Sequence, residues 1–312
     1  MKVINPSFTI EPRDEQRGGM AIIERAGRIC YKSEDKVTDN SAEAFVTGLI
    51  RRSHLAMLEH GDYIFYCDDY HILDNVADAL RFIRYTTGKA PMLKMTFVNR
   101  RPIISGNVRA WRELLMSNST AALYFTGKID RAYTADILCD AEIIDDPRIR
   151  QIRYADLADG VEQQAHYRMS VRFIVDRGVS HEFVRHRVMS FAQESTRYCN
   201  YSQDRFDNEV TVIAPCYLLP GTEPYTTWEN ACKDAEKHYF EMLDLGLQAQ
   251  EARAVLPHSV KTELMMTGTL AHWQHFFDLR ARQLTGKAHP QAVEVAFPLY
   301  KQVAALYPAA IC

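Results

Sequence analysis

The sequence lacks long apolar runs and closely spaced cysteines. No stretch approaches the roughly 18 apolar residues that a membrane-spanning helix needs, and the amino terminus has no basic segment followed by an apolar one. Seven cysteines are scattered along the chain without a Cys-x-x-Cys pair, which favours neither a disulfide framework nor a zinc site. We therefore expect a soluble, cytoplasmic protein with no membrane partner.

An excess of charge of one sign and the common nucleotide-binding glycine motifs are also absent. The formal net charge is −3, so no global attraction to nucleic acid is expected and any anion binding must be local. None of the 14 glycines belongs to a Gly-x-Gly-x-x-Gly or P-loop pattern. A dinucleotide, if bound, is therefore not held in either of those ways.

Apolar periodicity predicts an α+β fold in a single catalytic domain covering residues 1–312. Alternating β-branched and aromatic residues predict strands from Gly61 onward and over 169–175. Residues 69–165, between these strands, have the pattern of an inserted helical elaboration. We expect a mixed or antiparallel sheet flanked by helices, with a helical carboxyl-terminal third. Helical spacing is found at residues 20–30, 41–58, 72–85, 110–115, 228–253, 260–282 and 291–306.

Two phrases in distant parts of the chain share a faint pattern. Residues 104–111 read Ile-Ser-Gly-Asn-Val-Arg-Ala-Trp, and residues 266–273 read Met-Thr-Gly-Thr-Leu-Ala-His-Trp. A single match of this kind does not establish an internal duplication.

The stretch from Arg185 to Tyr198 concentrates hydrogen-bond donors. It reads Arg-His-Arg-Val-Met-Ser-Phe-Ala-Gln-Glu-Ser-Thr-Arg-Tyr, and its guanidinium groups match phosphate oxygens bidentately. The alternative is an exposed basic loop, but aromatic flanking residues and the preceding predicted strand favour an anion site. Turn residues at 176–178 and an N-cap at Ser180 predict a short helix from about His181, ending near Arg185.

Other polar residues leave alternatives open. The spacing of His54 and His60 does not fit a zinc site, so we expect no metal; His54 and Glu59 either face a cleft or cap a helix end. Cys199 is either a nucleophile activated by nearby cations or a small packing residue. Arg253 and Arg280 lie in apolar helical settings, where an arginine is often merely salt-bridged.

The pattern Arg185-His-Arg-x-x-Ser-x-x-x-x-Ser-x-Arg-Tyr198 closely resembles the signature of the flavin-dependent thymidylate synthases. The resemblance extends to residues 54–60, 177–184 and 193–201, and in the carboxyl-terminal third to 252–257, 275–280 and 288–291. The segment 69–165 is poorly covered.

The resemblance implies a methyltransferase that forms dTMP from dUMP with FAD as cofactor. NADPH and 5,10-methylenetetrahydrofolate would be co-substrates, and a homotetramer would form active sites shared between subunits. The reduced flavin of this family supplies a hydride, so no cysteine nucleophile is required and Cys199 can stay structural. No nucleic-acid partner is expected.

The family's site residues can be carried over by position. Arg280 is the implied catalytic residue, because a fixed cation against the uracil ring stabilises negative charge that develops there. Arg253 would help hold the nucleotide phosphate. The implied dUMP contacts are Glu182, Arg185, Gln193, Glu194, Ser195, Thr196, Arg197, Arg253 and Arg280. The implied FAD contacts are His54, Glu59, Arg185, His186, Arg187, Gln193 and His275.

Several positions depart from the family pattern. Glu182 stands where many members carry glutamine, and Ala192-Gln193 replaces a common Asn-Glu pair. Thr269 and Ala271 occupy positions where some members use Asn and Arg for FAD.

Two alternatives to the synthase assignment therefore remain. One is a catalytically inactive nucleotide- or RNA-binding relative, and the other is a different nucleotide-modifying enzyme with Cys199 as nucleophile. A further hypothesis is that Asn107 and Arg109, in the similar Ser-Gly-Asn-x-Arg phrase, replace the missing Asn and Arg at positions 269 and 271.

Overall fold

The computed structural model describes residues 1–13, 15–89, 92–98, 101–117, 119–137, 143–158 and 160–312. The strands in these ranges are β1 (Lys2–Ile4), β2 (Ser7–Ile10), β3 (Asp62–Cys67), β4 (Leu93–Val98), β5 (Arg101–Asn107), β6 (Ile149–Gln151), β7 (Arg168–Asp176), β8 (Ser190–Gln193), β9 (Thr211–Ile213) and β10 (Lys261–Thr269). The helices are α1 (Met20–Tyr31), α2 (Ser41–Arg51), α3 (Tyr70–Thr87), α4 (Val108–Leu115), α5 (Thr120–Thr126), α6 (Val161–His166), α7 (Arg177–Phe183), α8 (Glu223–Asp244), α9 (Ala249–Ala252), α10 (Leu270–Arg280) and α11 (Pro290–Leu306).

The strands form two four-stranded sheets. One has the order β4-β5-β3-β6 and the other β2-β7-β10-β8, and every neighbouring pair in both sheets is antiparallel. Strands β1 and β9 form a separate parallel pair. The mixture of helices and antiparallel sheet, with a largely helical carboxyl-terminal region, confirms the predicted α+β fold.

The first sheet packs against helices of the amino-terminal half. Strand β3 is aromatic and β-branched and is buried along nearly its whole length, as expected of a strand covered on both faces. Phe65 at its centre makes edge contacts with Trp111 of α4 and Phe125 of α5, at ring-centroid distances of 5.1 and 5.4 Å. These rings form the centre of one hydrophobic core.

The second sheet has a core of its own. Phe173 on β7 meets Phe183 of α7 and Trp273 and Phe276 of α10, with ring centroids 5.2 to 6.3 Å apart. Helix α11 closes this core and begins with Pro290, a residue suited to the first turn because its missing N–H has no partner there. Each sheet therefore has its own hydrophobic core. The assignment of the chain to one domain stays a prediction.

The prediction of a helix over 260–282 is wrong for its first part. Residues Lys261–Thr269 form β10, which pairs with both β7 and β8. All of its residues except Lys261 are buried, so the strand has no alternation of apolar and polar side chains. Such a continuously buried strand cannot be distinguished from a helix by periodicity. Helix α10 starts only at Leu270, after Thr269.

Other boundaries also differ from the predictions. The segment 69–165 contains strands β4, β5 and β6 as well as helices. The helix predicted over 41–58 ends at Arg51 and is followed by a 3-10 helix, Leu55–His60. The helix predicted over 228–253 is α8 followed by the short α9. In the acidic patch 136–146, residues 138–142 lie outside the described residues.

Across the described ranges, no helix combines the length and the apolar character that crossing a bilayer requires.

Candidate functional site

Helix α7 leads into the cationic segment, but its cap is not the predicted one. The N-cap is Asp176, whose Oδ1 accepts a hydrogen bond from the Val179 N–H at 2.7 Å. The other carboxylate oxygen accepts from Gln291 Nε2 at 2.7 Å, and burial raises the pKa of this carboxyl. Ser180 lies inside the helix and donates to the Arg177 carbonyl at 2.9 Å. The helix therefore starts four residues earlier than predicted and ends at Phe183.

Arg280, Glu182 and His186 meet at the end of α10. Arg280 Nη1 donates to Glu182 Oε2 at 2.5 Å, and Nη2 donates to the Glu182 carbonyl at 3.2 Å. Arg280 Nε donates to His186 Nε2 at 3.4 Å. The Arg280 and Glu182 side chains are 19% and 32% exposed, so the ion pair is accessible from solvent. Predicted site residues from two distant parts of the sequence, 182–186 and Arg280, thus form one group.

His186 is held neutral in this group. Burial, Arg280 and His275 together lower the pKa of His186 to about 4. Because Nε2 accepts from Arg280, the proton of the neutral ring is placed on Nδ1. The His275 ring lies with its centroid 5.8 Å from that of His186. The predicted flavin residues His186 and His275 are therefore neighbours.

Strand β8 is tied to α7 by Gln193. The side-chain Nε2 of Gln193 donates to Ser180 Oγ at 2.9 Å and to Thr262 Oγ1 on β10 at 3.2 Å. The amide at this position thus joins the strand that carries the signature motif to the helix that precedes it.

Glu194 points into a buried ion-pair cluster. It is 1% exposed and accepts from Lys261 Nζ at 2.8 Å, and Lys261 also reaches Glu263 at 3.1 Å. Although burial opposes ionisation, Lys261 and Lys32 lower the pKa of Glu263 to about 2. Glu194 therefore supports the motif from below, and the contact to dUMP that the resemblance implies stays a prediction.

The loop after β8 approaches Arg253. Arg253 Nη1 donates to Thr196 Oγ1 at 3.1 Å. Ser195 Oγ accepts from the Arg197 N–H at 3.3 Å, and the Arg197 guanidinium lies 5.5 Å from the centre of the Tyr198 ring. Arg253, predicted to hold the nucleotide phosphate, therefore lies beside the loop that carries the predicted dUMP contacts Ser195, Thr196 and Arg197.

Arg185 and Arg187 follow α7 and are exposed. Among the described residues, neither guanidinium has a carboxylate within ion-pair distance. Two permanent positive charges thus remain available to a ligand next to Arg280 and His186.

Glu59 joins the 3-10 helix Leu55–His60 to the start of β8. Its Oε1 accepts from Arg109 Nη1 at 2.8 Å, and its Oε2 accepts from Ser190 Oγ at 3.1 Å. Arg168 Nη2 donates to the Glu59 carbonyl at 3.0 Å. His54, at the start of the same helix, is exposed, and the structure records no contact between it and Glu59.

A cavity of about 380 Å³ lies beside Arg168. Its charged lining residues are Lys94 and Arg168, with no carboxylate among the lining residues. Arg168 is 4% exposed, and its Nε has no hydrogen-bond partner in the structure. Burial, Arg168, Lys94 and His275 lower the pKa of His272 to about 4. The full lining is Met92, Leu93, Lys94, Thr96, Ser105, Val161, Gln164, Ala165, Arg168, Thr269, Ala271 and His272.

The cavity includes two of the positions at which the sequence departs from the family pattern, Thr269 and Ala271. Thr269 caps α10, accepting from the His272 N–H at 3.4 Å, and Ala271 lines the wall without a polar group. Asn107 is the corresponding cap of α4 and accepts from the Ala110 N–H at 2.8 Å. Asn107 is 2% exposed, so its side chain is committed to the helix end, while Arg109 on the next turn stays 38% exposed.

Three further observations concern other candidate sites. Cys199 is completely buried. A larger cavity of about 640 Å³, lined by Arg17 and residues of the α5 region, contains none of the predicted site residues. In the described part of the chain, no three His, Cys, Asp or Glu side chains are placed to hold a metal ion.

Sequence reasoning did not identify Lys94, Arg168 or Lys261 as site residues. Arg168 and Lys261 are the first residues of β7 and β10, and Lys94 lies near the start of β4. A single charge at a strand end is common in sequences and carries no signal by itself. Only the packing of the two sheets shows that Arg168 becomes buried.

Part of the chain matches a known family. Residues 161–309 match the family model described as thymidylate synthase complementing protein. The flavin-dependent thymidylate synthases of Pyrococcus abyssi and Pyrococcus furiosus are 32% and 31% identical over 128 residues, covering 41% of this chain and 50% of each relative. That of Geobacter sulfurreducens is 31% identical over 106 residues, covering 34% of this chain and 44% of the relative. The chain thus spans about half the length of the curated relatives it matches.

A solved structure is similar over the whole chain at a lower level. The UMP/dUMP methylase PolB from Streptomyces cacaoi, bound with 5-Br dUMP, aligns over 99% of this chain and 95% of its own, with 17% identity and a TM-score of 0.41. That similarity is too distant to inform the site. The resemblance to the flavin-dependent thymidylate synthases stated from the signature motif is confirmed: residues 161–309 match the model of thymidylate synthase complementing protein, and the similar curated relatives are flavin-dependent thymidylate synthases.

Proposed function

We propose that the protein is a flavin-dependent thymidylate synthase that methylates dUMP to dTMP. FAD would be the redox cofactor, with NADPH and 5,10-methylenetetrahydrofolate as co-substrates. The observation that carries the proposal is the meeting of Arg280 with Glu182 and His186 next to the unpaired cations of the signature motif. The family match over residues 161–309 supports it.

The residues present fit a flavin dinucleotide. Its two phosphates need cations, and Arg185 and Arg187 are exposed without carboxylate partners among the described residues. Arg168 lines a cavity with a buried, unpartnered Nε, which leaves a donor for an anionic ligand. When bound, the flavin supplies the hydride that makes an enzyme nucleophile unnecessary.

Arg280 is the proposed catalytic residue. Its guanidinium is held from two sides by Glu182 and from a third by His186, which fixes its orientation before substrate binds. A cation fixed in this way stabilises negative charge on a bound uracil ring without reorganisation. Because His186 is neutral, it accepts from Arg280 without adding a competing positive charge.

The nucleotide phosphate is proposed to lie at the loop after β8. Arg253, Ser195, Thr196 and Arg197 offer two guanidiniums and two hydroxyl groups there. Bidentate arginine contacts and hydroxyl donors are the groups that phosphate binding uses. Gln193 and the buried Glu194 hold the loop in place from below.

We also propose that the protein acts as a homotetramer with sites shared between subunits. The exposed Arg185, Arg187 and Arg197 support this assignment, because cations with no carboxylate partner among the described residues are suited to a ligand held at a junction. Light scattering of the purified protein measures the assembly mass directly.

Tritium release from deoxyuridylate labelled at C5 tests the function. FAD, NADPH and methylenetetrahydrofolate are supplied together and then omitted one at a time. Release that requires all three is the expected result. Release without FAD and NADPH contradicts the proposal and indicates a different methylation chemistry.

The two alternatives predict different results. A catalytically inactive nucleotide-binding relative, suggested by the changes at Gln193, Thr269 and Ala271, would bind deoxyuridylate without releasing tritium in any mixture. A cysteine mechanism would require Cys199, whose side chain is buried away from solvent. The Cys199→Ala variant is therefore expected to retain tritium release.

A further inference from the structure

The two sheets are built from the same sequence of elements. Each contains a strand, an aspartate-capped helix, two more strands and a second helix in the same order: β3-α3-β4-β5-α4 in the first sheet and β7-α7-β8-β10-α10 in the second, where β9, α8 and α9 are inserted between β8 and β10. The strands are also ordered identically, as β4-β5-β3 and β8-β10-β7, with antiparallel pairing throughout. We call residues 55–115 the first unit and residues 161–280 the second unit.

The strands pair in an equivalent register in the two units. Asp62 pairs with Asn107 in the first unit, and Arg168 pairs with Thr269 in the second. Asn107 and Thr269 are each the N-cap of the following helix. This register places the Trp111 phrase and the Trp273 phrase at equivalent positions, so the weak sequence similarity between them has a structural basis.

Hydrogen bonds around the two tryptophans are equivalent as well. Trp111 Nε1 donates to the Tyr63 carbonyl at 3.3 Å, and Trp273 Nε1 donates to the Met169 carbonyl at 3.0 Å. Each acceptor is one residue after the strand residue that pairs with the helix cap. The two tryptophans therefore secure equivalent helices to equivalent strands.

The backbone N–H of the residue after each helix N-cap makes an equivalent hydrogen bond in the two units. Val108 N donates to the Gly61 carbonyl, and Leu270 N donates to the Tyr167 carbonyl, both at 3.0 Å. Both acceptors immediately precede the first strand of their unit.

The glycine before each helix N-cap is crowded by a side chain at an equivalent position in the two units. A Cβ added at Gly106 would lie 2.3 Å from Leu93 Cδ2, and one added at Gly268 would lie 2.9 Å from Met189 Cε. Leu93 pairs with Gly106 on β4, and Met189 directly precedes β8 at the corresponding place. In both units the glycine thus packs closely against a side chain at the start of the adjacent strand, with the tighter contact at Gly106.

The contacts between the units are reciprocal. His60 lies two residues before β3, and its Nδ1 is 2.7 Å from Thr267 Oγ1 in the second unit. His166 lies two residues before β7, and its Nδ1 is 2.6 Å from Ser105 Oγ in the first unit. Ser105 and Thr267 are equivalent by register, and all four side chains are buried. Exchange of equivalent contacts is the signature of an interface with two-fold symmetry.

The units differ at the site. The position of Ser190 on β8 is occupied by Lys94 on β4, and that of Gln193 by Phe97, so the first unit lacks the signature motif. The position of Ala271 on α10 is occupied by Arg109 on α4. Arg109 reaches Glu59, whose other carboxylate oxygen accepts from Ser190 of the second unit. Each unit therefore carries groups that the other lacks.

We propose that the chain is an intramolecular pseudo-dimer of these two units, and that Arg109 of the first unit is a positioning residue for the flavin site of the second. Arg109 holds the Glu59 carboxylate in place, and Glu59 in turn accepts from Ser190 at the start of the signature strand. The role of Arg109 rests on the proposed function. The pseudo-dimer rests on the register and on the reciprocal contacts alone.

FAD affinity of three full-length variants tests the role of Arg109. Flavin fluorescence quenching gives the dissociation constant, and thermal unfolding without FAD gives the stability. Arg109→Ala is expected to weaken FAD binding about tenfold, equivalent to about 1.4 kcal/mol, with the unfolding midpoint nearly unchanged. Arg109→Lys, which keeps the charge, should recover most of the affinity. Glu113→Gln is the matched control, because it removes the other partner of Arg109 and leaves Glu59 untouched.

Wild-type affinity in Arg109→Ala, or a loss of affinity that Arg109→Lys does not relieve, overturns the positioning role. If the wild-type chain itself binds no FAD, the proposed function and the role of Arg109 both fail, but the pseudo-dimer is still tested separately. Double-mutant cycles on unfolding compare His60 with Thr267 and His166 with Ser105. Couplings of the same sign and similar size are expected, whereas coupling in one pair alone contradicts the pseudo-dimer.

Discussion

The first and second units share a scaffold and differ in a few side chains. Strand β8 carries Ser190 and Gln193 and is continued by the loop of Ser195 and Arg197, whereas the equivalent strand β4 carries Lys94 and Phe97. The capped helix, the tryptophan hydrogen bond and the crowded glycine are present in both units. The scaffold is therefore separable from the chemistry that the second unit supports.

Contacts between the two units show that residues of one unit hold residues of the other in place. Glu59 lies in the first unit and contacts Ser190 of the second, and Arg168 lies in the second unit and donates to the Glu59 carbonyl. Contacts across the boundary include both backbone and side-chain groups near the predicted flavin residues. The first unit therefore contributes to the geometry of the site although it has no signature motif.

Removal of Arg280 is expected to have the largest effect on activity. Arg280→Ala should lower kcat by about 10²- to 10³-fold, because a fixed cation that stabilises developing charge on the uracil is lost. FAD affinity should stay close to that of the wild type, since the proposed role of Arg280 is on the substrate. Steady-state kinetics of tritium release and a flavin titration measure the two quantities on the same protein.

Arg282→Ala is the control for that experiment. Arg282 lies two residues further on, is 34% exposed and pairs with Asp278 at 3.1 Å, away from Glu182. Its loss should leave kcat within about twofold of the wild type, as expected for a surface ion pair. Equal losses in both variants, or loss of FAD in Arg280→Ala, would contradict the catalytic assignment.

Substitution of the two equivalent glycines tests the shared scaffold. Gly106→Ala and Gly268→Ala should each destabilise the protein by about 1–3 kcal/mol, because the added methyl group overlaps the neighbouring strand. The effect should be larger at Gly106, where the Cβ also comes 3.0 Å from the Met92 carbonyl oxygen, whereas at Gly268 it meets the end of a flexible methionine. Urea unfolding measures both. A neutral result at Gly106 would contradict the register of β4 against β5.

Local patterns were sufficient to predict the amphipathic helices and the strands rich in β-branched and aromatic residues. Helix α1 follows from apolar spacing, and β3 and β7 from β-branched and aromatic residues. Strand β10 was missed because it is buried on both faces and its sequence has no alternation. The duplicated units were also invisible, because only the two tryptophan phrases preserve a shared pattern and the equivalence depends on strand register.

The candidate site was predicted in part for the same reason. The signature motif identified Arg185 to Arg197 because it is contiguous, and the resemblance added Glu182, His275 and Arg280, which the structure places beside His186. The burial of Glu194 with Lys261 could not be predicted, because that pair forms only when β8 lies next to β10. Long-range pairing of strands decides which charged residues face a ligand and which face the core.

The smallest expected effect concerns the pH dependence of the reciprocal histidines. Burial and Arg168 lower the pKa of His60 to about 3, and burial and Lys94 lower that of His166 to about 4, against an ordinary value of 6.5. Between pH 6.5 and about 4 the unfolded chain binds more protons, so stability is complete above pH 6.5 and falls as the pH is lowered. Each histidine can contribute at most about 1.4 kcal/mol per pH unit in that window.

The pH dependence of stability should change equally when either His60 or His166 is replaced, if the contacts of the two histidines are equivalent. His60→Asn and His166→Asn each remove one titrating group, so each should flatten the decline in unfolding free energy between pH 6.5 and pH 4.5 by a similar amount. His71→Asn is the control, because His71 is exposed on α3 and its substitution should leave the slope unchanged. Urea midpoints measured across this range decide the outcome. A slope that changes in only one of the two variants would show that the interface is asymmetric, since a two-fold arrangement buries both histidines and gives each a hydroxyl partner in the other unit.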